Sequence, residues 1–490
     1  MGESSEKGVS RRRFVGGAAA GATGYALGGG GAAAEAAKPP GRRVDAVVVG
    51  AGIAGLVAAR KLRQAGRSVI VVEARKRVGG RTLNHAIRGD EVVEVGGQWV
   101  GPTQDRVLGL ISQLGLETFK THVDGQNVYS REGSRQTYSG TIPPANPASL
   151  GEIAVAIEQL NGMAATVPLD APWTAPNAFE WDGQTFETWK RANVLTDEAR
   201  DLLDLAVEAI FAAEPLDISL LFTLFYIHSA GNLNRLIDTA GGAQDSRIVG
   251  GSQLICLRLA RKLGKRVVKL GRPVEAIRHR RGGVEVETSR ETWHAKRVIV
   301  AMAPEMASRI RYKPGLPPLR DQLTQRLPMG SVVKCMAVYD EPFWRSEGLS
   351  GMATSTDGPL KLTFDNSPPD GDPGVLLGFL EGHEARVLAE RPPKERQAAV
   401  LASFERLFGA RARTNVREYV EKRWAEDVWS RGCYGGFAPP GVLLDFGEAL
   451  RRPAGRIHWA GSETATVWNG YMDGAVQSGE RAAAEVLTEL

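Results

Sequence analysis

Residues 44–55, VDAVVVGAGIAG, form a short β-branched run that leads directly into a glycine-rich turn. Such a run is typical of a buried parallel strand. The apolar pattern LVAARKLRQAG then predicts a helix that ends at Gly66, and SVIVVEA predicts a second strand that ends at Glu73. The order of these elements predicts a βαβ unit with G-x-G-x-x-G at its first turn and an acidic residue at the end of its second strand.

Each conspicuous residue of this unit has a physical task in binding a dinucleotide. Gly50 allows the tight turn, and Gly52 lets the backbone approach a pyrophosphate. Gly55 lets the helix pack close to the strand, while the helix N-terminus directs its positive dipole at the phosphates. Glu73 would accept hydrogen bonds from ribose hydroxyls. Because all parts fall at the expected spacing, we expect a dinucleotide site rather than a structural glycine turn.

The segment after Glu73 distinguishes between dinucleotides. Residues 74–82 read ARKRVGGRT, an extension that plain nicotinamide dehydrogenases have no reason to carry. It resembles the second phosphate-contacting segment of FAD-dependent amine oxidases and their desaturase relatives. The resemblance implies that Gly80 and Arg81 lie against the FAD pyrophosphate and that Arg75 lies near the adenosine end.

From about residue 43 to its end, the chain resembles the flavin monoamine oxidases. The segments that carry the resemblance are GGQWVGPT (96–103), DAPW (170–173), IVGGS (248–252), RPV (272–274), GSVVKC (330–335), EPFW (341–344), WAGSETATVWNGYMDG (459–474) and SGER (478–481). The fold implied is α/β: a doubly wound, Rossmann-like FAD-binding domain built from discontinuous segments, with an α+β substrate-binding domain threaded between them. We expect the FAD domain at 43–118, 234–323 and 427–490. The substrate domain would comprise a helical stretch, 119–233, and a sheet-like stretch, 324–426.

The resemblance also assigns cofactor contacts beyond the first motif. They are Gly97, Val274, Trp424, Cys433, Gly461, Glu463, Tyr471 and Met472. Mitochondrial members bond the cysteine that precedes a conserved tyrosine to the flavin through its sulfur, and Cys433 matches that position. Arg431 stands where those proteins have glycine, so the sequence leaves open whether FAD is bound covalently or Cys433 only packs against the ring.

Amine oxidation needs the substrate nitrogen in its neutral form beside the flavin. Aromatic walls orient a neutral nitrogen without fixing a positive charge, and the resemblance places such walls at Tyr434 and Tyr471. Lys334 stands in the alternating apolar run SVVKCMAVY, where a lysine is costly unless it is paired or functional. In the family this lysine reaches the flavin through a water and is tied to reoxidation by O2, with Trp424 as a candidate partner of that water.

Substrate contacts are placed by counting along the chain. Alignment through the glycine pair at 250–251 puts the family's substrate-side glutamine near Ser229, with gating positions near Phe222 and Leu362. No arginine or acidic pair is identifiable for a carboxylate or a second amine. We therefore expect a small primary aryl- or alkylamine and O2 as substrates. The alternatives are an L-amino-acid or polyamine oxidase on the same fold, or a catalytically inactive flavin-binding protein.

Composition argues against several other functions. The net charge of +5 is small for 490 residues, and Lys and Arg alternate with Asp and Glu, so no basic stripe predicts nucleic-acid binding. Three cysteines without C-x-x-C spacing predict no disulfide framework. Seven dispersed histidines without ligand spacing predict no metal site.

The first residues of the chain suggest a cellular address. Residues 10–15, SRRRFV, precede a weakly apolar Gly/Ala stretch and an A-x-A site at 34–36. The pattern resembles a twin-arginine export signal, with a disordered tail as the alternative. We therefore expect a signal peptide at 1–36, a linker at 37–42 and a periplasmic or extracellular enzyme. The C-terminus lacks the membrane helix of mitochondrial members, so we expect no membrane anchor in the mature chain; a homodimer is left open.

Overall fold

The computed structural model describes residues 43–88 and 91–490. The predicted signal peptide and linker lie outside these residues. The strands, in chain order, are β1 (Arg43–Val49), β2 (Val69–Val72), β3 (Asn84–Ala86), β4 (Val92–Glu94), β5 (Thr118–Lys120), β6 (Gln126–Arg131), β7 (Ser134–Tyr138), β8 (Ser246–Ile248), β9 (Val268–Lys269), β10 (Val274–Arg280), β11 (Gly283–Thr288), β12 (Thr292–Ala301), β13 (Arg311–Lys313), β14 (Val332–Tyr339), β15 (Leu349–Ser355), β16 (Leu362–Asp365), β17 (Gly374–Glu381), β18 (Glu418–Arg423) and β19 (Ile457–Ala460).

The helices of the described residues are α1 (Ile53–Gln64), α2 (Asp105–Gln113), α3 (Pro147–Ala165), α4 (Ala178–Asp182), α5 (Phe186–Asn193), α6 (Asp197–Phe211), α7 (Leu220–Ala230), α8 (Leu233–Ile237), α9 (Gln253–Leu263), α10 (Pro304–Ala307), α11 (Pro318–Arg326), α12 (Phe343–Ser346), α13 (Gly382–Ala389), α14 (Pro393–Phe408), α15 (Arg411–Thr414), α16 (Val442–Phe446) and α17 (Met472–Thr488).

The predicted βαβ unit forms the centre of an eight-stranded sheet. Its order is β13-β10-β11-β12-β1-β2-β9, and β19 also pairs with β12. The pairs β1–β2, β1–β12, β2–β9 and β12–β19 are parallel, whereas β10–β11 and β11–β12 are antiparallel. A parallel sheet brings the carboxyl ends of its strands to one edge, which is where open α/β folds bind ligands.

Alternate residues of β1 enter two different cores, as the period of a strand requires. Ala46 and Val48 pack with α1, α2, α9 and α17. Val47 and Val49 pack with residues of β10, β11, β12 and α10. Because both faces are covered, this strand is apolar along almost its whole length, which is why it is recognisable in the sequence.

A second sheet has seven strands in the order β18-β14-β17-β16-β15-β6-β7. All neighbouring pairs are antiparallel except β15–β6. Cys335 of β14 faces a core that includes Phe404 of α14. Val332 and Met336, on the opposite face of β14, pack with Phe379 and Trp424. Helices α3 to α8 form a further core beside this sheet.

The two sheets follow the predicted segments. The eight strands of the first sheet fall within 43–118, 234–323 and 427–490, and the seven strands of the second fall within 119–233 and 324–426. The stretch predicted to be helical, 119–233, therefore also contributes β6 and β7. All described residues belong to one compact unit, so the boundaries between an FAD domain and a substrate domain stay a prediction. Among these residues, no helix is long and apolar enough to cross a bilayer.

Candidate active site

One cavity extends from the glycine-rich turn of the first sheet to the second sheet. The predicted site residues that line it are Gly50, Gly52, Glu73, Arg75, Gly80, Arg81, Gly97, Val274, Lys334, Leu362, Trp424, Cys433, Tyr434, Gly461, Tyr471 and Met472. Residues distant in the sequence therefore meet around one space. Four further predicted residues, Gly55, Glu463, Phe222 and Ser229, are not among its lining residues.

The turn between β1 and α1 has the geometry that its glycines predict. Gly50 has φ +103°, and a Cβ there would lie 2.6 Å from the carbonyl oxygen of Ala301. A Cβ on Gly55 would lie 2.0 Å from the carbonyl oxygen of Gly50, so Gly55 serves helix packing. The Glu73 carboxylate accepts hydrogen bonds from the backbone N–H groups of Ala51, at 2.7 Å, and Arg75, at 2.9 Å. These bonds fix the turn against the end of β2.

The shape of this end of the cavity fits a dinucleotide. A Cβ added at Gly97 would meet no atom within 4 Å, so it would occupy the cavity itself. A Cβ at Gly52 would likewise meet nothing closer than 4.0 Å. Gly52 also precedes α1 without any side-chain cap, which leaves the first N–H groups of the helix for phosphate oxygens.

Arg81 is held in place by an acidic residue that the sequence had assigned to the cofactor. Its guanidinium lies 2.6 and 3.0 Å from the two carboxylate oxygens of Glu463 and also donates to the backbone oxygen of Tyr434 at 2.7 Å. Glu463 is buried and does not line the cavity, so a direct contact between Glu463 and the cofactor stays a prediction. The Glu463 carboxylate orients Arg81, which does line the cavity.

Arg75 is similarly anchored at the other end of the site. Its guanidinium lies 2.6 Å from Asp427 and 2.7 Å from the hydroxyl of Ser430. Asp427 and Ser430 belong to the segment that leads to Cys433. This contact therefore ties the predicted adenosine end of the site to the segment that carries the cysteine.

Lys334 projects from β14 into the cavity, on the face opposite Cys335. Its ammonium donates to the backbone oxygen of Gly96 at 2.9 Å and also to the side-chain oxygen of Gln98. The amide of Gln98 in turn donates to Asn366 at 2.8 Å. Burial lowers the pKa of Lys334 to about 7, against the attraction of Glu94. A lysine with this pKa changes its charge near neutral pH.

Trp424 and Cys433 lie on the same side of the cavity as Lys334. The indole N–H of Trp424 donates to the backbone oxygen of Val95 at 2.8 Å, so its ring orientation is fixed by the protein. Cys433 is 4% exposed and lines the cavity. Burial raises the pKa of its thiol to about 12, although Arg81 and Lys334 favour the thiolate.

Aromatic rings form the wall around the predicted cage. Tyr434 lies edge-on to Phe379, with ring centroids 6.1 Å apart. Tyr471 packs against Trp468 at 4.9 Å and Tyr226 at 6.0 Å. Tyr226 also lines the cavity, and the sequence argument missed it. Its signal was a tyrosine within the otherwise apolar run of α7, LLFTLFYIHSA, which is equally typical of a core helix.

Ser229, near which the sequence places the substrate-side position, does not line the cavity. The hydroxyl of Ser229 donates to the backbone oxygen of Tyr226 at 2.8 Å and accepts from the backbone N–H of Asn469 at 3.2 Å, so it supports the wall from behind. Gln244 lines the cavity instead. Its amide donates to the backbone oxygen of Leu236 at 3.2 Å, and its carbonyl oxygen has no partner among the described residues.

Of the two predicted gating positions, one lines the cavity and the other does not. Leu362, at the start of β16, lines the cavity beside Phe364. Phe222 lies in the helical core, 6.0 Å from the ring of Phe211 and 6.3 Å from that of Phe225. It does not line the cavity, and a gating role near this position stays a prediction. On an apolar helix such as α7, the sequence alone does not show which face meets the cavity.

The structure also reveals an acid that the sequence argument had not identified. Glu381, at the end of β17, lines the cavity and is 3% exposed. It accepts a 2.6 Å hydrogen bond from the phenolic hydroxyl of Tyr434, and its second oxygen has no partner among the described residues. Burial raises the pKa of Glu381 to about 8. The signal in the sequence was a single acid in the apolar run GVLLGFLE.

Comparison with known proteins agrees with this geometry. A family model of flavin containing amine oxidoreductases matches residues 53–487. The chain is 40% identical over 448 residues to a protein of Dictyostelium discoideum described as a probable flavin-containing monoamine oxidase A. The aligned region covers 91% of this chain and 98% of that protein. The chain belongs to the flavin-containing amine oxidase family.

Two further relatives of this amine oxidase illustrate the range of the family. This chain is 40% identical over 449 residues to human amine oxidase (flavin-containing) B, and the aligned region covers 91% of this chain and 86% of that protein. A solved putrescine oxidase bound to putrescine superposes with a TM-score of 0.88 at 36% identity, covering 92% of this chain and all of that chain. The α/β fold, the FAD cofactor and the oxidation of amines by an oxidoreductase, all predicted from the sequence, are thereby confirmed.

Proposed function

We propose that this amine oxidase converts primary monoamines to aldehydes: RCH2NH2, O2 and H2O give RCHO, NH3 and H2O2. One observation carries the proposal. Lys334, Tyr434 and Tyr471 come from three separate parts of the chain, yet all line one cavity that continues to the dinucleotide-binding turn. A scaffold protein that only held the flavin would not need this combination.

FAD, when bound, accepts a hydride equivalent from the carbon that bears the nitrogen, and O2 takes up the two electrons. The chain supplies the position and the electrostatics. Tyr434 and Tyr471 present aromatic rings, which orient a neutral amine without stabilising its ammonium form as a carboxylate would. Lys334 brings a buried cationic donor to the same space and is suited to stabilise negative charge that develops on O2.

The rest of the wall favours an aryl or alkyl group on the substrate. Leu362, Phe364, Phe379 and Trp99 line the cavity, and the rings of Trp99 and Phe364 are 4.9 Å apart. Such a surface stabilises an apolar substituent by excluding water from it. Gln244 adds one amide to the wall, and its carbonyl oxygen is buried without a partner among the described residues.

A second candidate, oxidation of a diamine, is favoured by Glu381. A buried carboxyl group in the cavity wall is a chemically suitable partner for a second ammonium. The putrescine-bound relative shows that this fold accommodates a diamine in another protein. The two candidates predict different preferences for amines of similar length.

The test uses the purified holoenzyme with benzylamine, phenethylamine and putrescine. Peroxide release is measured in air, and bleaching of the flavin spectrum is measured without oxygen. We expect both signals with the monoamines. A clear preference for putrescine would establish the second candidate, activity confined to amino acids would favour an L-amino-acid oxidase, and the absence of both signals with every amine would refute amine oxidation by this chain.

The proposal includes a thioether between Cys433 and FAD. Cys433 is buried in the cavity wall, and burial raises the pKa of its thiol, while the cations Arg81 and Lys334 act against this rise. The new bond would join Sγ to the 8α carbon of the flavin, and the S–H bond and one C–H bond would break. The two electrons and two protons would be taken up by O2, which becomes H2O2. Acid precipitation tests this: yellow colour should stay in the pellet, whereas Cys433→Ala should release it. Colour wholly in the supernatant of the unaltered protein would refute the bond.

Export by the twin-arginine route is a separate part of the proposal and rests on the sequence alone. Residues 1–36 lie outside the described part of the chain. The support is the SRRRFV motif followed by a weakly apolar stretch. Residues 1–42 fused to a reporter that folds in the cytosol should direct it out of the cell. Replacing Arg11 and Arg12 by lysine should keep it inside; export of both fusions would refute the route.

A further inference from the structure

Glu381 and Tyr434 form a pair inside the cavity rather than at its outer surface. Glu381 pairs with Val332 of β14, and Phe379 pairs with Lys334. The side chains of Phe379 and Glu381 therefore leave β17 on the same face as Lys334, because strand residues alternate in direction. From there the carboxylate accepts the 2.6 Å hydrogen bond from the hydroxyl of Tyr434.

We propose that Glu381 is the proton acceptor for the substrate ammonium and that the hydroxyl of Tyr434 passes the proton to it. This inference rests on the proposed amine oxidation. One N–H bond of the ammonium breaks and a new O–H bond forms on Tyr434, while the original hydroxyl proton moves to Oε1 of Glu381. The products are a neutral amine, an intact tyrosine and a carboxylic acid; no electrons move.

The chemistry requires such an acceptor. An alkylamine with a pKa near that of lysine, about 10.4, is almost entirely protonated at neutral pH. Only its neutral form can give up a hydride equivalent from the neighbouring carbon. A carboxyl group of ordinary pKa, about 4.3, would be roughly six units too weak as a base. Burial raises the pKa of Glu381 to about 8, which narrows this gap.

The charged groups around Glu381 are consistent with this role. Lys361 is the nearby cation, but its ammonium lies 2.6 Å from Glu208 and 3.6 Å from Glu384, so other acids take up its charge. The titratable groups that act on the pKa of Glu381 are Tyr434, Glu208, Lys361 and Glu384. Next to Glu381 in the chain, the backbone N–H of His383 donates to Glu214, and Lys334 of β14 pairs with Phe379. The net effect of Glu208 and Glu384 is to raise the pKa of Glu381 further.

Proton counting with an unreactive amine tests the inference directly. 2-Phenylpropan-2-amine has no hydrogen on the carbon that bears nitrogen, so it binds without being oxidised. Calorimetric titration of the holoenzyme in buffers of different ionisation enthalpy gives the protons released per ligand. Near pH 7, Glu381 and the free ligand each carry a titratable proton before binding. In the complex the two groups hold one proton between them, and the other is released to the buffer. We therefore expect release of about one proton, falling to near zero as the pH rises through about 8.

The variants separate this role from a structural one. Glu381→Gln keeps a buried acceptor for Tyr434 but does not titrate, so its proton count should be independent of pH between about 6 and 9. Glu384→Gln removes a carboxylate that lies near Lys361 but does not line the cavity. Proton release by this variant should still fall as the pH rises. Tyr434→Phe removes a hydrogen bond that lowers the pKa of Glu381, so the fall in proton release should occur at higher pH. The inference is wrong if the unaltered enzyme lacks the step or if Glu381→Gln retains it.

Steady-state kinetics add an independent readout. Glu381→Gln should lower kcat/KM for benzylamine by about 100-fold near pH 8, where the Glu381 carboxylate of the unaltered enzyme is available to accept a proton. The activity of the variant should recover towards the pKa of the amine, where neutral substrate is already present. A loss confined to putrescine would make Glu381 the partner of a distal ammonium instead. If no amine were oxidised at all, the proposed function would fail while the proton count could still be measured.

Discussion

The ammonium of Lys334 donates a 2.9 Å hydrogen bond to the backbone oxygen of Gly96, a residue 238 positions earlier in the chain. The contact joins a strand of the second sheet to the segment that passes along the cavity from the first sheet. Gln98, two residues after Gly96, is a second acceptor for the same ammonium. Lys334 is therefore held where the two sheets meet the cavity, with its charge balanced by neutral dipoles, by the nearby rings of Trp99 and Phe379 and by the more distant Glu94.

Lys334→Met should slow the reaction with oxygen more than the reaction with amine. Loss of a fixed cationic donor at the site of developing charge costs about 100-fold in rate. Because the pKa of Lys334 is about 7, the oxygen reaction of the unaltered enzyme should also slow as the pH rises through this value. Stopped-flow mixing of anaerobically reduced enzyme with O2 measures both effects. Cys335→Ala, which faces away from the cavity on the same strand, is the control; equal rates for Lys334→Met and the control would contradict this role.

The same lysine should make stability depend on pH. In the folded protein its pKa is lowered to about 7 from 10.5, so above pH 7 the native state releases a proton that the unfolded state still binds. The contribution of Lys334 to the free energy of unfolding therefore rises with pH between about 7 and 10.5. Thermal unfolding of the apoprotein at pH 6 and pH 9 measures this. The increase in melting temperature caused by Lys334→Met should be larger at pH 6 than at pH 9. A difference independent of pH would contradict the burial of a titrating lysine.

Gly97→Val should remove FAD without unfolding the protein. An added side chain at Gly97 meets no protein atom within 4 Å and enters the cavity instead. Gly162→Val on α3 is the matched control, since a Cβ there also meets nothing within 4 Å but lies on an exposed helix. The ratio of flavin to protein absorbance should fall only for Gly97→Val, with the apoprotein melting near the control. Full flavin content in Gly97→Val would place the cofactor elsewhere.

The sequence was most informative where the chemistry is contiguous. Gly50, Gly52, Gly55 and Glu73 act through spacing along one βαβ unit, and steric rules fix their roles without any knowledge of distant residues. The structure accordingly shows the turn and the close packing that the spacing predicts. Lys334, Tyr434 and Tyr471 required the family resemblance, because nothing local in their segments shows that they share a cavity.

The sequence was less informative where tertiary packing decides which side chain faces the cavity. Ser229 and Tyr226 lie three residues apart on α7, so the helix presents them in related directions, yet only Tyr226 reaches the cavity. Glu381 ends the apolar run GVLLGFLE, and its environment depends on the pairing of β17 with β14 and on Tyr434. Such contacts form between segments far apart in the chain, and periodicity does not report them.

The pair formed by Arg81 and Glu463 should couple stability to flavin binding. Arg81→Met leaves the buried Glu463 carboxylate unpaired, which costs about 3–5 kcal/mol. The double variant Arg81→Met/Glu463→Gln removes the uncompensated charge, so it should regain much of the stability. It should nevertheless bind less flavin, because Arg81 is the member that lines the cavity. Denaturant unfolding and flavin content measure the two effects separately, and recovery of both in the double variant would contradict a direct role for Arg81.

Variants of Gln244 and Ser229 test which of the two residues contacts the substrate. Gln244→Ala removes an unpaired amide oxygen from the cavity wall and should raise KM for benzylamine by about tenfold, the equivalent of about 1.4 kcal/mol. Ser229→Ala removes hydrogen bonds to Tyr226 and Asn469 behind the wall, so it should lower the free energy of unfolding by about 1 kcal/mol with little change in KM. Steady-state kinetics and urea unfolding of the two variants check this. A KM effect in Ser229→Ala that exceeds the effect in Gln244→Ala would show that the serine, and not the glutamine, meets the substrate.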